Sequence, residues 1–397
     1  MPRVCFFNVA AGLGGAERSL LEMIRGLTAT RYEPMLVTPM EGLLTERVRA
    51  LGVPVSVRPL PGLLRLGRYA SAADYLRASS GVFLAGYFRW WAKLLRENGV
   101  AIVHANSVKT MFLTGPMRLF RPRPRIVWHI RDVMSRRRFF PLVDSLGACV
   151  PDAIIANSDF TAAQFRRCRP RVVRIYNGLV LDDYRPATVD EKAEFKRRWS
   201  IPESRRLVGI LGVLAPLKGH RVFLEAAKGL LTAGADVQFV IVGDEIYDTA
   251  GHRGYRAELE ALTRTLGIGD RVTFTGFVGE VERVLGCFDV LVQASIEPES
   301  FGRVVVEAQA SGVPVVASRI GAIPEIIRDG SLGTLVRPGD PDDLARAVRR
   351  YLDSDDLRAR TAEAARRRAL DDFSVRRLVD ELSRLYDRLL KERTSRD

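Results

Sequence analysis

Residues 297–308, EPESFGRVVVEA, give the clearest indication of how this chain folds. This stretch follows a short apolar run at Val290–Gln293 and leads into an apolar segment of helical length at Val304–Ser311. Gly302 lies between the two, and a glycine in that place lets backbone approach a ligand closely. A buried strand, a glycine-containing loop and a buried helix in this order predict one β–α unit of a parallel sheet.

The same unit recurs along the whole chain. In the second half, short apolar runs typical of strands buried on both faces lie at Leu207–Leu211, Val237–Val242, Val272–Thr275, Val290–Gln293, Val315–Ala317 and Thr334–Val336. In the first half they lie at Val4–Asn8, Pro34–Thr38, Val53–Val57, Ile102–Ala105, Ile126–His129, Ala153–Ala156 and Val172–Tyr176. Segments of helical length separate them, and this alternation predicts an α/β protein with two doubly wound, Rossmann-like parallel sheets.

The domain boundaries are expected in turn-rich sequence. Residues 177–188 contain Asn-Gly, Asp-Asp and Arg-Pro pairs, which are typical of a linker. We therefore expect one domain at residues 1–180 and a second at residues 190–372. Charged, helical sequence follows, and a C-terminal helix within residues 373–397 is long enough to return to the first domain.

Composition indicates a soluble globular protein, with 47% hydrophobic and 27% charged residues in 397. The four cysteines include no C-x-x-C pair and the four histidines are far apart, so neither a disulfide framework nor a metal site is indicated. A reducing cytoplasm is the expected location. The apolar residues 4–13 are interpreted as the first strand and not as a signal peptide, because glycines follow where a cleavage site would be.

The net charge of +14 is unevenly distributed. Residues 1–185 hold 28 Lys and Arg against 13 Asp and Glu, whereas residues 186–397 hold 33 against 34. A basic first half attracts anionic partners such as phosphates, nucleic acid or acidic lipid headgroups. No nucleic-acid-binding motif accompanies the charge, so we do not expect nucleic acid as a partner.

The interval Leu60–Asn98 departs from the β–α rhythm, since seven aromatic residues alternate there with six basic ones. No uncharged run reaches the roughly 18–20 residues of a membrane span. Two interpretations stay open. The interval forms an amphipathic helix on an anionic membrane surface, with its aromatics at headgroup depth, or it is an insertion whose aromatics are core. The first would place the protein at the inner face of the membrane.

Three motifs point to a phosphate-containing ligand. Gly14 and Gly15 form a turn before a helix, where backbone N–H groups and the helix dipole suit a phosphate. The turn is not G-x-G-x-x-G and no acidic residue closes the second strand, so NAD binding is not expected. Lys218 lies at the start of a helix, where it can clamp a diphosphate or simply be solvated.

The third motif is the segment EPESFGRVVVEA, residues 297–308. The N–H groups of Ser300, Phe301, Gly302 and Arg303 would point at an anion. Glu299 and Glu307 are poor phosphate ligands but good acceptors for hydroxyl groups. The combination suits a molecule that is a polyol at both ends and a diphosphate in the middle.

The spacing from Glu299 to Glu307 is E-x7-E, and the chain resembles family 4 of the retaining glycosyltransferases, the glycosyltransferase group 1 enzymes, which have the GT-B fold. The resemblance spans nearly the whole chain and rests on short motifs whose order and spacing are specific. They lie at residues 14–17, 104–107, 128–132, 156–158, 176–178, 216–219, 242–244 and 307–316. It implies two domains that face a cleft. It also implies transfer of a sugar from a nucleotide diphosphate sugar, which serves as co-substrate, without a metal or other cofactor.

The resemblance also implies residue roles. Gly14 and Gly15 would shape the loop that faces the donor phosphates, and Lys218 would bind the diphosphate. Glu299 would hold sugar hydroxyls near the amides of Phe301 and Gly302, and Glu307 would hold the ribose. His129, which without the family is a core histidine at a strand end, would approach the transferred sugar. The catalytic residues are thus expected to be His129, Lys218 and Glu299.

One position departs from the family. Arginine usually stands where this chain has Val213, so the diphosphate would lose one of two cations. Arg303 and Arg221 are the candidates to replace it.

The expected mechanism rests on charge. Transfer builds negative charge on the leaving diphosphate, which preorganised positive charge stabilises. A glycosidase-like double displacement needs a carboxylate nucleophile about 5 Å from the acid, and no suitable second carboxylate motif is present. We therefore expect same-face attack by a glycan, lipid-linked or small-molecule acceptor. The alternatives are a sugar-nucleotide epimerase on the same fold, and a non-catalytic glycan-binding or scaffold protein.

Overall fold

The computed structural model describes residues 1–60, 81–245 and 254–394. The chain divides into two compact units. The first unit contains Met1–Gly178 together with Val375–Asp397, and the second contains Leu179–Ser374.

The first unit is built on a seven-stranded parallel sheet with the strand order β3-β2-β1-β4-β5-β6-β7. Its strands are β1 (Arg3–Phe7), β2 (Glu33–Thr38), β3 (Val55–Val57), β4 (Val100–Ala105), β5 (Arg125–Ile130), β6 (Ala153–Ala156) and β7 (Val172–Arg174). Its helices before the second unit are α1 (Gly15–Leu27), α2 (Leu43–Ala50), α3 (Gly81–Glu97), α4 (Val108–Leu113), α5 (Phe140–Gly147) and α6 (Asp159–Ala162). Each of the seven apolar runs predicted as strands in this half is confirmed.

The second unit is built on a six-stranded parallel sheet with the order β10-β9-β8-β11-β12-β13. The strands are β8 (Arg206–Leu211), β9 (Val237–Val242), β10 (Val272–Gly276), β11 (Val290–Gln293), β12 (Val315–Ser318) and β13 (Thr334–Val336). The helices are α7 (Val189–Arg198), α8 (His220–Thr232), α9 (Tyr255–Thr265), α10 (Val281–Leu285), α11 (Arg303–Ala310), α12 (Ile323–Ile326), α13 (Pro341–Asp353) and α14 (Asp355–Asp372). The predicted doubly wound architecture is therefore confirmed in both halves.

Each sheet has a point at which the strand order reverses, between β1 and β4 in the first and between β8 and β11 in the second. In open α/β sheets, ligands bind beyond the carboxyl ends of the strands at this switch point. The loop after β1 carries Gly14 and Gly15, and the loops after β8 and β11 carry Lys218 and Glu299. The topology thus places these predicted ligand-binding motifs at the switch points.

The charged stretch near the C-terminus forms two helices. After α14 the helical structure is interrupted at Phe373, whose carbonyl accepts a hydrogen bond from the Leu179 N–H at 2.8 Å. Helix α15 (Val375–Thr394) then begins. Helix α15 packs on α1 in the first unit. A Cβ atom at Gly26 of α1 would lie 2.6 Å from Cγ2 of Val379, so the glycine lets the two helices approach closely.

The aromatic interval separates into two parts. Residues 61–80, which include Arg65, Arg68, Tyr69, Tyr75 and Arg77, lie outside the described residues. In α3, Tyr87 and Trp91 are 3% and 0% exposed and belong to the core of the first unit. For these two aromatics the core interpretation is therefore correct.

No helix in the described part of the chain is long and apolar enough to span a membrane.

Candidate active site

Backbone packing joins the turn after β8 to the loop after β11. A turn of 3₁₀ helix, Pro216–Lys218, follows β8, and the N–H of Ile296 donates to the Leu217 carbonyl at 2.9 Å. Gly219 has a φ of +74°, and a Cβ there would lie 1.9 Å from the Ala294 carbonyl oxygen. Only glycine fits this contact, which fixes the position of Lys218 relative to the second loop.

An ion pair completes the junction. Nζ of Lys218 lies 2.8 Å from Oε1 of Glu299, and the two side chains are 28% and 17% exposed. The same carboxylate accepts hydrogen bonds from Gln293 Nε2 at 2.8 Å and Ser295 Oγ at 2.5 Å. Burial opposes ionisation of Glu299, but the charge of Lys218 and these hydrogen bonds outweigh it, so the pKa of Glu299 lies below its ordinary value. A cation and an ionised carboxylate thus stand side by side within reach of a ligand.

The segment before α12 packs against the loop that begins at Glu299 and fixes its backbone. The Ala322 N–H donates to the Glu299 carbonyl at 2.9 Å, and a Cβ at Gly321 would lie 2.4 Å from the same oxygen. Gly302 has a φ of +108°, and a Cβ there would lie 2.4 Å from Cδ1 of Ile323. The sequence suggested that Gly302 serves ligand approach, whereas the structure gives it a packing role as well.

The other residues of this loop differ in exposure. Phe301 is 3% exposed, and its ring lies 5.7 Å from that of Phe373 in an edge-on contact, so its side chain anchors the loop. Ser300 and Arg303 are half-buried. Because its side chain is buried, Phe301 can face a ligand only with its backbone N–H, which is the group that the resemblance implies.

Glycines begin the two helices predicted to meet phosphate. Gly14 is the N-cap of α1 and Gly302 is the N-cap of α11, and no side chain caps either helix. The first N–H groups of a helix have no partner within the helix, and such an end suits an anion. Gly15 is exposed, and a Cβ there would have no neighbour within 4 Å. The fold itself therefore does not require glycine at position 15.

Glu307 lies on α11 and is 5% exposed. Its Oε1 accepts a hydrogen bond from Arg303 Nε at 2.6 Å and from the Tyr184 hydroxyl at 3.1 Å. Burial, and next the Glu307 charge, raise the pKa of Tyr184, which therefore remains a donor. Both contacts use one carboxylate oxygen and hold the side chain in place.

The surroundings of Val213 bear on the departure from the family. Val213 is half-buried. Of the two cations that could replace an arginine there, Arg303 pairs with Glu307 at 2.6 Å, and Arg221 lies 3.8 Å from Glu258 with 57% of its side chain exposed. Each of them is thus already beside a carboxylate.

His129 lies on β5 of the first unit and is 1% exposed. Its Nδ1 is 3.1 Å from Nε2 of His104, whose Nδ1 is 2.6 Å from the Tyr386 hydroxyl on α15. Burial, then Arg131 and His104, lower the pKa of His129 well below its ordinary value. Burial and Arg131 lower the pKa of His104 to about 3. Both rings are neutral near pH 7.

Arg131 connects three of the sequence motifs. It donates from Nε to Asn106 Oδ1 at 3.0 Å, from Nη1 to Asn177, and from Nη2 toward His129 Nδ1 at 3.4 Å. The motifs at residues 104–107, 128–132 and 176–178 therefore meet in one polar cluster.

Sequence reasoning missed several of these residues. Gln293 and Ser295 orient Glu299, Tyr184 holds Glu307, and Tyr386 reaches His104. Gln293 and Ser295 are polar residues at the end of a buried strand, which is a usable signal. Tyr184 and Tyr386 lie in a linker and on a charged helix, where the sequence offers no such signal.

The structure groups the expected residues by unit. Lys218, Glu299, residues 300–303 and Glu307 come together in the second unit, and Gly14, Gly15 and His129 belong to the first. Among the described residues, no group of three or more His, Cys, Asp or Glu side chains is placed to hold a metal ion.

Two family models match the chain. Residues 13–183 match the model described as Glycosyltransferase Family 4, and residues 191–368 match the model described as Glycosyl transferases group 1.

Curated relatives include D-inositol 3-phosphate glycosyltransferases. The chain is 35% identical over 226 residues to that of Streptomyces avermitilis, which covers 55% of this chain and 48% of the relative. It is 31% identical over 314 residues to that of Thermobifida fusca, covering 76% and 67%, and 32% identical over 227 residues to the 2-deoxystreptamine glucosyltransferase of Streptomyces kanamyceticus, covering 56% of each. The chain thus matches only about half the length of the first of these relatives.

Solved structures resemble the fold closely. The crystal structure of HepE from Anabaena in complex with UDP and glucose has a TM-score of 0.81 and 22% identity, covering 98% of this chain and 100% of that one. Sucrose-phosphate synthase from Thermosynechococcus elongatus has a TM-score of 0.76 and 18% identity, covering 99% and 100%.

Proposed function

The chain belongs to glycosyltransferase family 4 and has the GT-B fold, and we propose that it is a retaining, hexosyl-type glycosyltransferase. The donor is a nucleotide diphosphate sugar, and no metal takes part. The second unit binds the donor, and the first unit binds the acceptor. UDP is bound in the HepE structure, and several relatives are glycosyltransferases by name, which supports this class of donor.

The observation that carries the proposal is the Lys218–Glu299 pair at the switch point of the second sheet. A nucleotide sugar needs a cation for its diphosphate and an acceptor for its sugar hydroxyls. The pair supplies both at a separation of 2.8 Å, next to the glycine that begins α11. Neither side chain is fully buried, so a bound ligand can take the place of Glu299 as the partner of Lys218, or of Lys218 as the partner of Glu299.

Each residue has a distinct task in the reaction. As the bond between sugar and diphosphate breaks, Lys218 and the N-terminus of α11 stabilise the negative charge that develops on the leaving phosphate. Glu299 stays ionised because its pKa is lowered, so it orients the sugar by accepting from hydroxyl groups and does not act as an acid.

The nucleoside end of the donor is assigned to Glu307. Its carboxylate is 5% exposed and is fixed by Arg303 and Tyr184 through Oε1. A carboxylate held in place by an arginine is a strong acceptor for two neighbouring hydroxyls, which is the pattern of a ribose.

Retention follows from attack by the acceptor on the face that the diphosphate leaves, with the leaving phosphate taking the acceptor proton. The ionised Glu299 is hydrogen-bonded by three side chains, which makes it a weak nucleophile. The anomeric configuration of the first sugar product, read by proton NMR before it equilibrates, tests this step. Inversion of configuration excludes it.

The test of the activity is incubation with a panel of nucleotide sugars, with and without acceptors. We expect slow release of nucleoside diphosphate and free sugar from one donor, faster with an acceptor. A changed nucleotide sugar without release of diphosphate would identify an epimerase. Nucleotide binding without turnover would identify a non-catalytic protein.

For the acceptor we propose a lipid-linked glycan at the cytoplasmic face of an anionic membrane. The first half of the chain carries the whole positive excess. In the first unit, apolar side chains are exposed at Leu119 (81%), Phe139 (40%) and Leu142 (52%). Arg137 and Arg138, which precede Phe139 in the sequence, are also exposed. Co-sedimentation with anionic vesicles tests this: binding that weakens with salt and on Leu142→Ser is expected, and no binding at low salt favours a soluble acceptor.

A further inference from the structure

A hydrogen-bonded series of buried side chains runs through the first unit from its last helix to β5. The Tyr386 hydroxyl lies 2.6 Å from His104 Nδ1, and His104 Nε2 lies 3.1 Å from His129 Nδ1. His104 and Tyr386 are each 0% exposed and His129 is 1% exposed. These contacts join residues that are 282 and 25 positions apart in sequence.

The direction of each hydrogen bond follows from the groups at the two ends. Arg131 can only donate, and its Nη2 lies 3.4 Å from His129 Nδ1. Nδ1 of His129 is therefore the acceptor, and His104 donates to it from Nε2. The other nitrogen of the neutral His104 ring, Nδ1, then accepts from the Tyr386 hydroxyl, whose pKa burial raises so that it keeps its proton.

The proton of His129 is thus left on Nε2. This nitrogen is buried, and none of the residues that the structure describes hydrogen-bonds to it. A buried N–H donor without a partner is costly, and a ligand that accepts from it at this predicted sugar-facing position would remove that cost.

We propose that Tyr386 and His104 are positioning residues that hold His129 in the Nε2–H tautomer, so that Nε2 donates a hydrogen bond to a hydroxyl of the transferred sugar. The second part rests on the proposed function. The reversed tautomer would place a proton on Nδ1 facing the Arg131 guanidinium, so the arrangement has one consistent direction.

The first test reads the tautomers directly in the resting protein. Long-range proton–nitrogen NMR on protein labelled at its four histidines distinguishes Nε2–H from Nδ1–H, and single substitutions assign the signals. We expect both His104 and His129 as neutral Nε2–H rings. An Nδ1–H ring at His129 overturns the proposal, whether or not the protein transfers sugar.

The second test compares two Tyr→Phe changes, one on α15 and one at a tyrosine that contacts α15. Tyr386→Phe removes the hydroxyl that donates to His104. Tyr32→Phe removes a buried hydroxyl that bonds instead to Asp387 and the Ser383 carbonyl of α15, with its ring 5.3 Å from that of Tyr386. Only Tyr386→Phe should disturb the histidine signals and lower kcat, by about tenfold, the worth of one hydrogen bond. Affinity for UDP should not change in either variant.

His104 itself supplies a rescue test. In His104→Gln the amide oxygen can accept from Tyr386 and the amide N–H can donate to His129, whereas His104→Leu can do neither. We expect the first to keep most of kcat and the second to lose it at unchanged UDP affinity. Equal kcat in Tyr386→Phe and Tyr32→Phe, or in the two His104 variants, overturns the proposal. If the wild-type protein hydrolyses no nucleotide sugar, the proposed function fails, and the NMR tautomers still decide the positioning role.

Discussion

At the scale of single residues, two lysines of the second unit form almost the same ion pair. Lys218 lies 2.8 Å from Glu299, with 28% and 17% exposure, and Lys192 lies 2.8 Å from Asp289, with 30% and 11% exposure. Only Lys218 stands at the switch point. Lys218→Ala should lower kcat by roughly a hundred- to a thousandfold because it removes charge from the leaving diphosphate. Lys192→Ala should leave kcat unchanged.

Measurements of stability distinguish a catalytic role of Lys218 from a purely structural one. Because both pairs are partly exposed, either substitution should lower the free energy of unfolding by only about 1 kcal/mol. Urea unfolding of both variants measures this. A Lys218→Ala protein that turns over normally and melts well below Lys192→Ala would show that Lys218 is structural.

Glu307→Gln tests the nucleotide end of the site. The amide keeps the shape and the Tyr184 contact but loses the charge that pairs with Arg303 and accepts from the ribose. Affinity for UDP in calorimetry should fall by roughly 1.5–3 kcal/mol, the worth of one charged hydrogen bond. Tyr184→Phe, which keeps the carboxylate, is the control and should bind UDP nearly as well as wild type. Unchanged affinity in Glu307→Gln removes the ribose role.

The buried histidines predict a pH dependence of stability. The pKa of His104 is about 3 in the folded chain against an ordinary 6.5, and that of His129 is also lowered. Between these values the unfolded chain binds protons that the folded chain does not, so stability falls as pH falls from about 6.5, by roughly 1 kcal/mol per histidine for each pH unit. Urea unfolding at about pH 7 and pH 5 measures the slope, which should be smaller in His104→Gln. An equal slope in both proteins would contradict this.

At the scale of elements, glycines that look alike in the motifs have different roles. At Gly15 a Cβ meets nothing within 4 Å, whereas at Gly302 it meets Ile323 at 2.4 Å with a φ of +108°. Gly15→Ala should therefore keep or raise stability, by up to about 1 kcal/mol, and weaken donor binding by crowding the phosphates. Gly302→Ala should lower stability by roughly 1–3 kcal/mol.

Gly86, in helix α3, is the control for the first change, because a Cβ there also meets nothing within 4 Å. Gly86→Ala should gain stability without any change in donor affinity. Thermal melts and UDP titration check all three variants. If Gly15→Ala binds UDP and turns over as well as Gly86→Ala, the loop after β1 does not face the donor.

The strands could be predicted from the sequence, whereas an interruption between two helices that depends on tertiary contacts could not. Strands buried on both faces are continuous apolar runs, so all thirteen could be located, including three-residue β13 (Thr334–Val336). The expected domains placed a boundary at residues 372–373, but the charged sequence on both sides favours helix and gives no local reason for the break between α14 and α15 at Phe373. It arises from tertiary contacts, with the ring of Phe373 against Phe301 and its carbonyl bonded to Leu179.

The residues of the candidate site could likewise be predicted only where the local sequence signals them. Lys218 and Glu299 lie in loops after strands, and Glu307 lies on the helix that follows the second loop. In both places the local sequence shows the turn and the charge. The contact of His104 with Tyr386 spans 282 positions, and nothing local to either residue signals it. Packing of α15 on the first unit creates that contact.

At the scale of the whole molecule, the first unit is assembled from two separate parts of the chain. Five aliphatic side chains of α15 are buried in its core, namely Leu378, Val379, Leu382, Leu385 and Leu389. Their burial contributes on the order of 10 kcal/mol, which is comparable to the stability of a whole domain. Residues 179–374 produced alone should therefore fold, and residues 1–178 alone should not.

Joining residues 375–397 to residue 178 through a flexible linker should restore a folded first unit. Circular dichroism and thermal melts check the three proteins. Cooperative unfolding of residues 1–178 alone would show that α15 is dispensable to the first unit.

This division also sets an order of events on the ribosome. Helix α15 is made only after the 196 residues of Leu179–Ser374, which at about 5–20 residues per second takes on the order of 10–40 s. Throughout that interval the nascent first unit lacks the helix that packs on α1 at Gly26 and that contributes five aliphatic side chains to its core. The second unit is translated later and can finish folding sooner, so the first part of the chain to be synthesised is the last to mature and the one exposed to chaperones.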